Sequence, residues 1–378
     1  AAVSGSASVA AGMAYTHKTP SESINHIAPL INKSLLSDFS MIDLALALKR
    51  KTQHGQSISF IDLFGSLMAQ RTFKGLGIDH PSSIDLATYA SQIDPLKSPL
   101  PIQTSIIGNN TSGKYEWVEF TPFEIGSTFL NTFIPSWAFG RKFENGFSTD
   151  FTPPQSLAFC MGLWGSAMCA NPHDFFKIRI APELDPIVSS FLAPQLEQLF
   201  TRPPFSNVRL SPAHVFNWNL GMQNATLNKH KTLTLVDAGF DSNFPLPPLL
   251  RSERAVDIII MIDASTIRAN ELRDAEKNML HRGLDMPSID YGIIDQPCSI
   301  HHDSLSPNKS TIVYIPLVKN PSYHDNWDPC KEKFTDIFNF RYTQHQTHAL
   351  SGLMKHNMAQ SMPMIIDTIR QWIKKKNH

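Results

Sequence analysis

Apolar side chains recur at three- and four-residue spacing over residues 41–49 and 58–73, as in Phe60, Leu63, Phe64, Leu67 and Met68. That period predicts two helices, each turning one face to a core. Ahead of them, SGSASVAAGM at 4–13 is small and weakly apolar. It predicts a tight turn entering a buried helix that its neighbours approach closely. Proline punctuation at Pro99, Pro101, Pro122, Pro153 and Pro154 marks loops, with a short strand at 102–107 among them. Residues 233–236, 256–262 and 311–318 are runs rich in β-branched and apolar residues. Such runs predict strands buried on both faces of a sheet covered by helices. Helical pattern returns over 347–359 and 363–375, where Ser361 could cap and Pro363 suits a first turn. Strands and helices interleave, so the expected class is α/β, and no internal repeat is visible.

Composition narrows the function. Hydrophobic residues make up 42% and charged residues 17% of the 378, the balance of a globular chain. Lys+Arg and Asp+Glu are both 33, so the formal net charge is zero and no global basic field favours nucleic acid. The basic run Lys374, Lys375 and Lys376 reads as a solvated helix end that suits the helix dipole. Four scattered cysteines, Cys160, Cys169, Cys298 and Cys330, form neither a disulfide framework nor a paired zinc motif, which suggests a reducing compartment. No apolar run reaches the ~18 residues of a membrane span. The pair His301 and His302 beside Asp303 has no matching ligand motif, so no metal site is assigned. Trp117, Trp164 and Trp218 sit in apolar surroundings and are expected in the core.

A catalytic hydroxyl needs a geometry that exposes it and a base that takes its proton. Ala2-Val3-Ser4-Gly5-Ser6 has the small flanking residues of a strained nucleophile turn above a helix N-terminus. The Gly5 N–H would there face a developing oxyanion. Such stretches are also common in ordinary loops. In Leu235-Val236-Asp237-Ala238-Gly239-Phe240, an aspartate directly follows a predicted strand, at the edge where α/β proteins place ligand sites. A turn residue would suit that position as well. Together they make the pair expected of a Ser-Asp dyad, in which one carboxylate both orients and deprotonates the serine.

The segment VDAGFDSNFPLPPLLRSERAVDIIIMIDAS, residues 236–265, resembles the catalytic-aspartate region of the cytosolic phospholipase A2 family. Further segments resemble that family in the same order: Ser4-Gly5-Ser6, SISFIDLFGSLM (57–68), WVEFTPFEIG (117–126), MGLWGSA (161–167), VFNWNLGM (215–222) and FNFRYT (338–343). The resemblance covers nearly the whole chain. It implies a central mixed sheet with helices on both sides, as in patatin-like acyl hydrolases, and one catalytic domain over 1–378 with a candidate lid at 171–209. In that lid Ile187, Val188, Phe191, Leu192, Leu196, Leu199 and Phe200 form one apolar helical face, which an ordinary packed helix would share.

By the same resemblance Ser4 is the nucleophile, Asp237 its base, and Gly5 an oxyanion donor, with Asn243 structural. The family's glycine two positions before the serine is Ala2 here. Its oxyanion glycines and phosphate-binding arginine precede the serine, so the chain, which opens without Met, is expected to lack its N-terminal portion; activity of the piece alone is left open. The implied function is a phospholipase A2 that cleaves fatty-acyl esters of glycerophospholipids through an acyl-enzyme. A lysophospholipase or transacylase with the same dyad, and a catalytically dead lipid-binding homologue, are the alternatives. No metal or organic cofactor is implied, since calcium in relatives serves an N-terminal lipid-binding module. Phospholipid at a membrane surface is the implied partner, and the implied location is cytoplasmic with peripheral membrane attachment.

Overall fold

The computed structural model describes residues 1–378 except 17–19, 34–35, 38, 74–75, 77, 79, 92, 94–98, 109–114, 170–211, 224, 304–308, 326, 337–338, 340 and 377–378. The candidate lid, 171–209, therefore lies outside the described residues, as do parts of the 338–343 segment. The chain divides into two compact units, Ala1–Asn243 and Phe244–His378.

The first unit holds helices α1 (Gly5–Thr16), α2 (Pro20–Ile31), α3 (Met41–Gln53), α4 (Phe60–Phe73), α5 (Ala87–Ala90) and α6 (Leu157–Trp164). Its strands are β1 (Gln103–Ile107), β2 (Glu116–Phe120), β3 (Glu124–Ser127), β4 (Thr132–Pro135), the paired β5 (Phe143–Glu144) and β6 (Phe147–Ser148), β7 (Ala213–Phe216) and β8 (Thr232–Asp237). Six of them form one sheet in the order β4-β3-β2-β1-β8-β7, with every neighbour antiparallel. Short turns join β2 to β3 and β3 to β4, and a tight turn permits only antiparallel pairing. β1 is buried along its whole length because β2 and β8 flank it. Its Ile107 joins the main core with α1, α4 and α6, while Ile106 packs with Val3, Trp117 and Val236 in a separate cluster.

α4 and α6 cross at two glycines. A Cβ on Gly65 would lie 2.0 Å from the Ala158 carbonyl oxygen, and one on Gly162 would lie 2.3 Å from that of Ile61. No larger residue fits at either position, so this crossing sets where α6 ends. The expected helices at 41–49 and 58–73 are α3 and α4, each somewhat displaced at one end. All three tryptophans expected in the core are buried.

The second unit contains α7 (Pro247–Leu250), β9 (Ile258–Asp263), α8 (Arg268–His281), β10 (Ser299–His301), β11 (Thr311–Pro316) and α9 (Gln344–Lys376). Its sheet, β10-β11-β9, is mixed: β11 runs parallel to β9 and antiparallel to β10. Mixed pairing thus belongs to this sheet, whereas the larger sheet is antiparallel. β9 departs from the expected two-sided burial. It is an edge strand with alternating burial, and Ile260 and Ile262 are 45% and 61% exposed.

The C-terminal region also differs from expectation. One helix of 33 residues runs through Pro363, and the Ser361 hydroxyl donates to the Asn357 carbonyl at 2.6 Å instead of capping a new helix. Proline deprives the turn before it of one N–H donor, and a hydroxyl bonded to the backbone four residues back is accommodated inside a continuous helix. His301 uses Nδ1 to accept from the Asp290 N–H at 3.1 Å and places Nε2 2.8 Å from the Ser299 hydroxyl, so both ring nitrogens are engaged in packing this unit. Among the described residues no helix is long and apolar enough to cross a membrane.

Candidate active site

β8 ends where β1 still has bonding edge to offer. Asp237, its last residue, pairs with Ser105, and beyond it the flank of β1 is taken by the N-terminal segment, with Ala2 bridging Gln103 in parallel. The Ala2 N–H donates to the Ile102 carbonyl at 2.8 Å, and the Thr104 hydroxyl donates to the Ala2 carbonyl at 3.1 Å. The end of β8 and the N-terminal segment meet on one strand, about 7 Å apart along it. Ser4, two residues past the bridge, therefore arrives beside Asp237.

The turn that delivers it is strained. Ser4 has φ 51°, in the left-handed region, at a cost on the order of 1 kcal/mol for a residue with a Cβ. α1 begins immediately afterwards. The Ser6 and Ala7 N–H groups are accepted by the Val3 and Ser4 carbonyls. Gly5, as first residue of the helix, has no intrahelical acceptor for its own N–H. It is exposed, and a Cβ built on it would meet nothing within 4 Å.

The Ser4 hydroxyl donates to Asp237 Oδ2 at 3.1 Å. The same oxygen accepts the Ala167 N–H at 2.9 Å, and Oδ1 accepts the Gly239 N–H at 2.8 Å. The Asp237 N–H in turn donates to the Ser166 hydroxyl at 3.2 Å, which donates onward to the Leu163 carbonyl at 3.1 Å. Asp237 is fully buried, and burial pushes its pKa up to about 6; the bonds from Gly239, Ala167 and Ser4 pull the other way. A carboxylate poised there is ionised at neutral pH yet basic enough to take a proton. Among the described residues, no imidazole bonds to the Ser4 hydroxyl or the Asp237 carboxylate.

Ser166 and Ala167 were not singled out by sequence reasoning, although the segment 161–167 was. They follow α6 directly, so the glycine crossing of α4 on α6 places the Ala167 N–H against the carboxylate. Helix-end Gly-Ser-Ala carries small residues that let a backbone N–H approach a ligand, and this was the available signal. Close by, the Trp117 indole N–H donates to Asp241 Oδ2 at 2.6 Å, tying β2 to the turn after Asp237.

A model of the family described as lysophospholipase catalytic domain matches residues 17–281. The chain belongs to that family. The match includes Asp237 and begins after Ser4. Among members of the wider group, human cytosolic phospholipase A2 zeta is 25% identical, over 82% of this chain and 44% of its own length. Mouse cytosolic phospholipase A2 delta is 24% identical, over 93% of this chain and 51% of its own. The fold is similar to that of human GIVD cytosolic phospholipase A2, with TM-score 0.74, 21% identity, and coverage of 93% of this chain and 54% of that one. The same protein in complex with methyl gamma-linolenyl fluorophosphonate gives TM-score 0.69 and 22% identity, covering 98% of this chain and 54% of that one. This lysophospholipase-family chain thus spans about half the length of the relatives it matches.

Proposed function

We propose that the chain is the catalytic part of a serine acyl hydrolase that releases fatty acid from glycerophospholipids, with Ser4 as nucleophile and Asp237 as its base. The observation that carries this reading is the 3.1 Å hydrogen bond from a hydroxyl on a strained turn to a buried carboxylate whose pKa is raised. The relatives' names, which are those of phospholipases A2, and the complex of one of them with a fatty-chain fluorophosphonate agree with it.

In the proposed reaction the Ser4 oxygen attacks the ester carbonyl while its proton passes to Asp237 Oδ2. Charge develops on the carbonyl oxygen, which the Gly5 N–H and the N-terminal end of α1 can stabilise. Collapse of the tetrahedral intermediate breaks the bond to glycerol, and the leaving lysophospholipid takes the proton from Asp237. Water then attacks the acyl-enzyme, Asp237 accepts its proton, and a second collapse frees the fatty acid and returns the proton to the Ser4 oxygen. The Ala167 and Gly239 N–H groups hold the carboxylate in place throughout. No step here calls on a metal or organic cofactor.

The substrate is proposed to be presented at a membrane surface, with the protein cytoplasmic and attached peripherally. A lysophospholipase or transacylase would use the same dyad and differ in the acceptor or in the chains removed. The test is covalent labelling of the intact protein by methyl gamma-linolenyl fluorophosphonate. A mass increase confined to the peptide carrying Ser4, and lost in Ser4→Ala, is expected. Labelling that persists in Ser4→Ala would falsify the assignment.

A further inference from the structure

The first unit displays aromatic side chains in water along residues 137–151. Trp137 is 49% exposed, Phe147 77% and Phe151 91%. Isolated exposed hydrophobics are ordinary, but three large rings within fifteen residues are not scattered singly. They are held by a built element. β5 and β6 pair through Phe143 with Ser148 and Glu144 with Phe147, and the Thr149 N–H closes the ladder on the Lys142 carbonyl at 2.9 Å. The turn between them is Asn145-Gly146, with φ 51° and 85°, both positive as a type I′ hairpin requires. A ring on the strand next to such a turn is fixed in place outside the protein instead of folding back onto it.

Cations are interleaved with the rings. The Arg141 guanidinium lies 4.8 Å from the centre of Trp137 and 5.8 Å from that of Phe151, and the Lys142 ammonium lies 5.3 Å from that of Phe216. Beside the hairpin is a cavity of about 230 Å³ lined by Lys142, Glu144, Phe216, Leu220 and Lys231 among others. Two acidic side chains share the region, Glu144 on the cavity rim and Asp150. The carboxylate of Asp150 is engaged by the Lys142 and Thr152 N–H groups and the Thr152 hydroxyl. Arg141, Lys142 and Lys231 leave the patch a cationic excess.

From this geometry we infer that the 137–151 hairpin region is a membrane-docking surface, with Phe147 and Phe151 entering the headgroup layer and Arg141 and Lys142 contacting anionic phospholipids. Aromatic rings lower their free energy at the boundary between headgroups and acyl chains. Neighbouring cations are attracted by the negative surface potential of an anionic leaflet. The inference adds a place of attachment to the lipid-hydrolase reading and rests on it for the choice of a bilayer as occupant.

The test is sedimentation of the intact protein with phosphatidylcholine vesicles, with and without phosphatidylserine. The variants are Phe147→Ala/Phe151→Ala, Lys142→Gln and Phe147→Trp. The double variant should lose roughly tenfold or more in partition to both vesicles. Lys142→Gln should lose about fivefold, only where phosphatidylserine is present. Phe147→Trp should keep its partition, and its added emission should be quenched by bromine-labelled acyl chains. Turnover of a short-chain ester below its micelle concentration should be unchanged in all three. Unchanged partition of the double variant, or unquenched emission of Phe147→Trp, overturns the proposal and assigns the patch to a protein partner. Absence of ester turnover in the unvaried protein would count against the hydrolase reading alone, because partition and quenching are scored without turnover.

Discussion

Two strands of this protein end in the same way, and only one of them ends at a candidate active site. β8 closes on Val236-Asp237-Ala238-Gly239 and β9 on Ile262-Asp263-Ala264-Ser265. Both aspartates are buried, and both turn back on their own chain, Asp237 accepting the Gly239 N–H at 2.8 Å and Asp263 the Ser265 N–H at 2.7 Å. They differ in what reaches the second oxygen. Asp263 Oδ2 accepts the Ser265 hydroxyl at 3.0 Å and the Tyr314 hydroxyl, both from the same unit. Burial, with Asp263 adding to it, pushes the Tyr314 phenol far above the ordinary range, so that hydroxyl keeps its proton and simply satisfies the carboxylate. Asp237 Oδ2 instead faces Ser4, on a strained turn at a helix start beside an exposed glycine. The local motif is a turn; a strained donor from elsewhere in the chain is what makes one copy chemically interesting.

The sharpest way to break this comparison is to remove each partner. Ser4→Ala or Asp237→Ala in the intact protein should lower fatty-acid release from phospholipid vesicles by ~10⁴-fold or more, whereas Asp263→Asn should leave it within about threefold of the starting rate. Near-normal turnover in either of the first two would end the dyad reading. The raised pKa of Asp237 sharpens the contrast further. Below about pH 6 the carboxylate is protonated and cannot take the Ser4 proton, so kcat/KM should fall about tenfold per pH unit on the acid side of about 6 and level off above it. A profile flat from pH 5 to 8 would contradict a buried carboxylate base.

Two further substitutions act on the scaffold around Asp237. Gly162→Ala should destabilise the protein by ~3 kcal/mol or more, read as a lowered denaturation midpoint, because its Cβ would sit on the Ile61 carbonyl. Ser166→Ala removes the acceptor of the Asp237 N–H and should reduce kcat about tenfold with KM little changed. A raised KM with kcat unchanged would point to substrate binding instead. The smallest effect belongs to the other aspartate. Tyr314→Phe should cost ~1–2 kcal/mol of stability with turnover retained, since it strips one donor from buried Asp263.

Much of the fold is legible in the residues. The helices at 41–49 and 58–73 and the strands at 102–107 and 311–318 follow from period and β-branching, because burial of one face or of both writes itself into the spacing of apolar residues. β9 shows the limit. Its Ile-Ile-Ile-Met-Ile run reads as doubly buried, yet alternate residues are exposed, because a sequence does not say whether a strand is central or at an edge. Pro363 shows another, since proline is compatible both with a first turn and with a long helix whose neighbouring groups compensate for the lost donor. The Asn145-Gly146 hairpin was legible in principle from its dipeptide, between flanking phenylalanines.

For the candidate site, sequence by itself determined the residue types and their local settings: a serine among residues small enough for a strained turn, and an aspartate at a strand end followed by Ala-Gly. These are properties of a few neighbouring residues, and short-range sterics suffice to specify them. Tertiary structure alone decided that β8 stops two residues short of the bridge at Gln103, that the N-terminal segment fills the vacated edge, and that the glycine crossing brings Ala167 to the same carboxylate. Those facts depend on strand length, register and helix contact, which arise from packing among residues far apart in the chain.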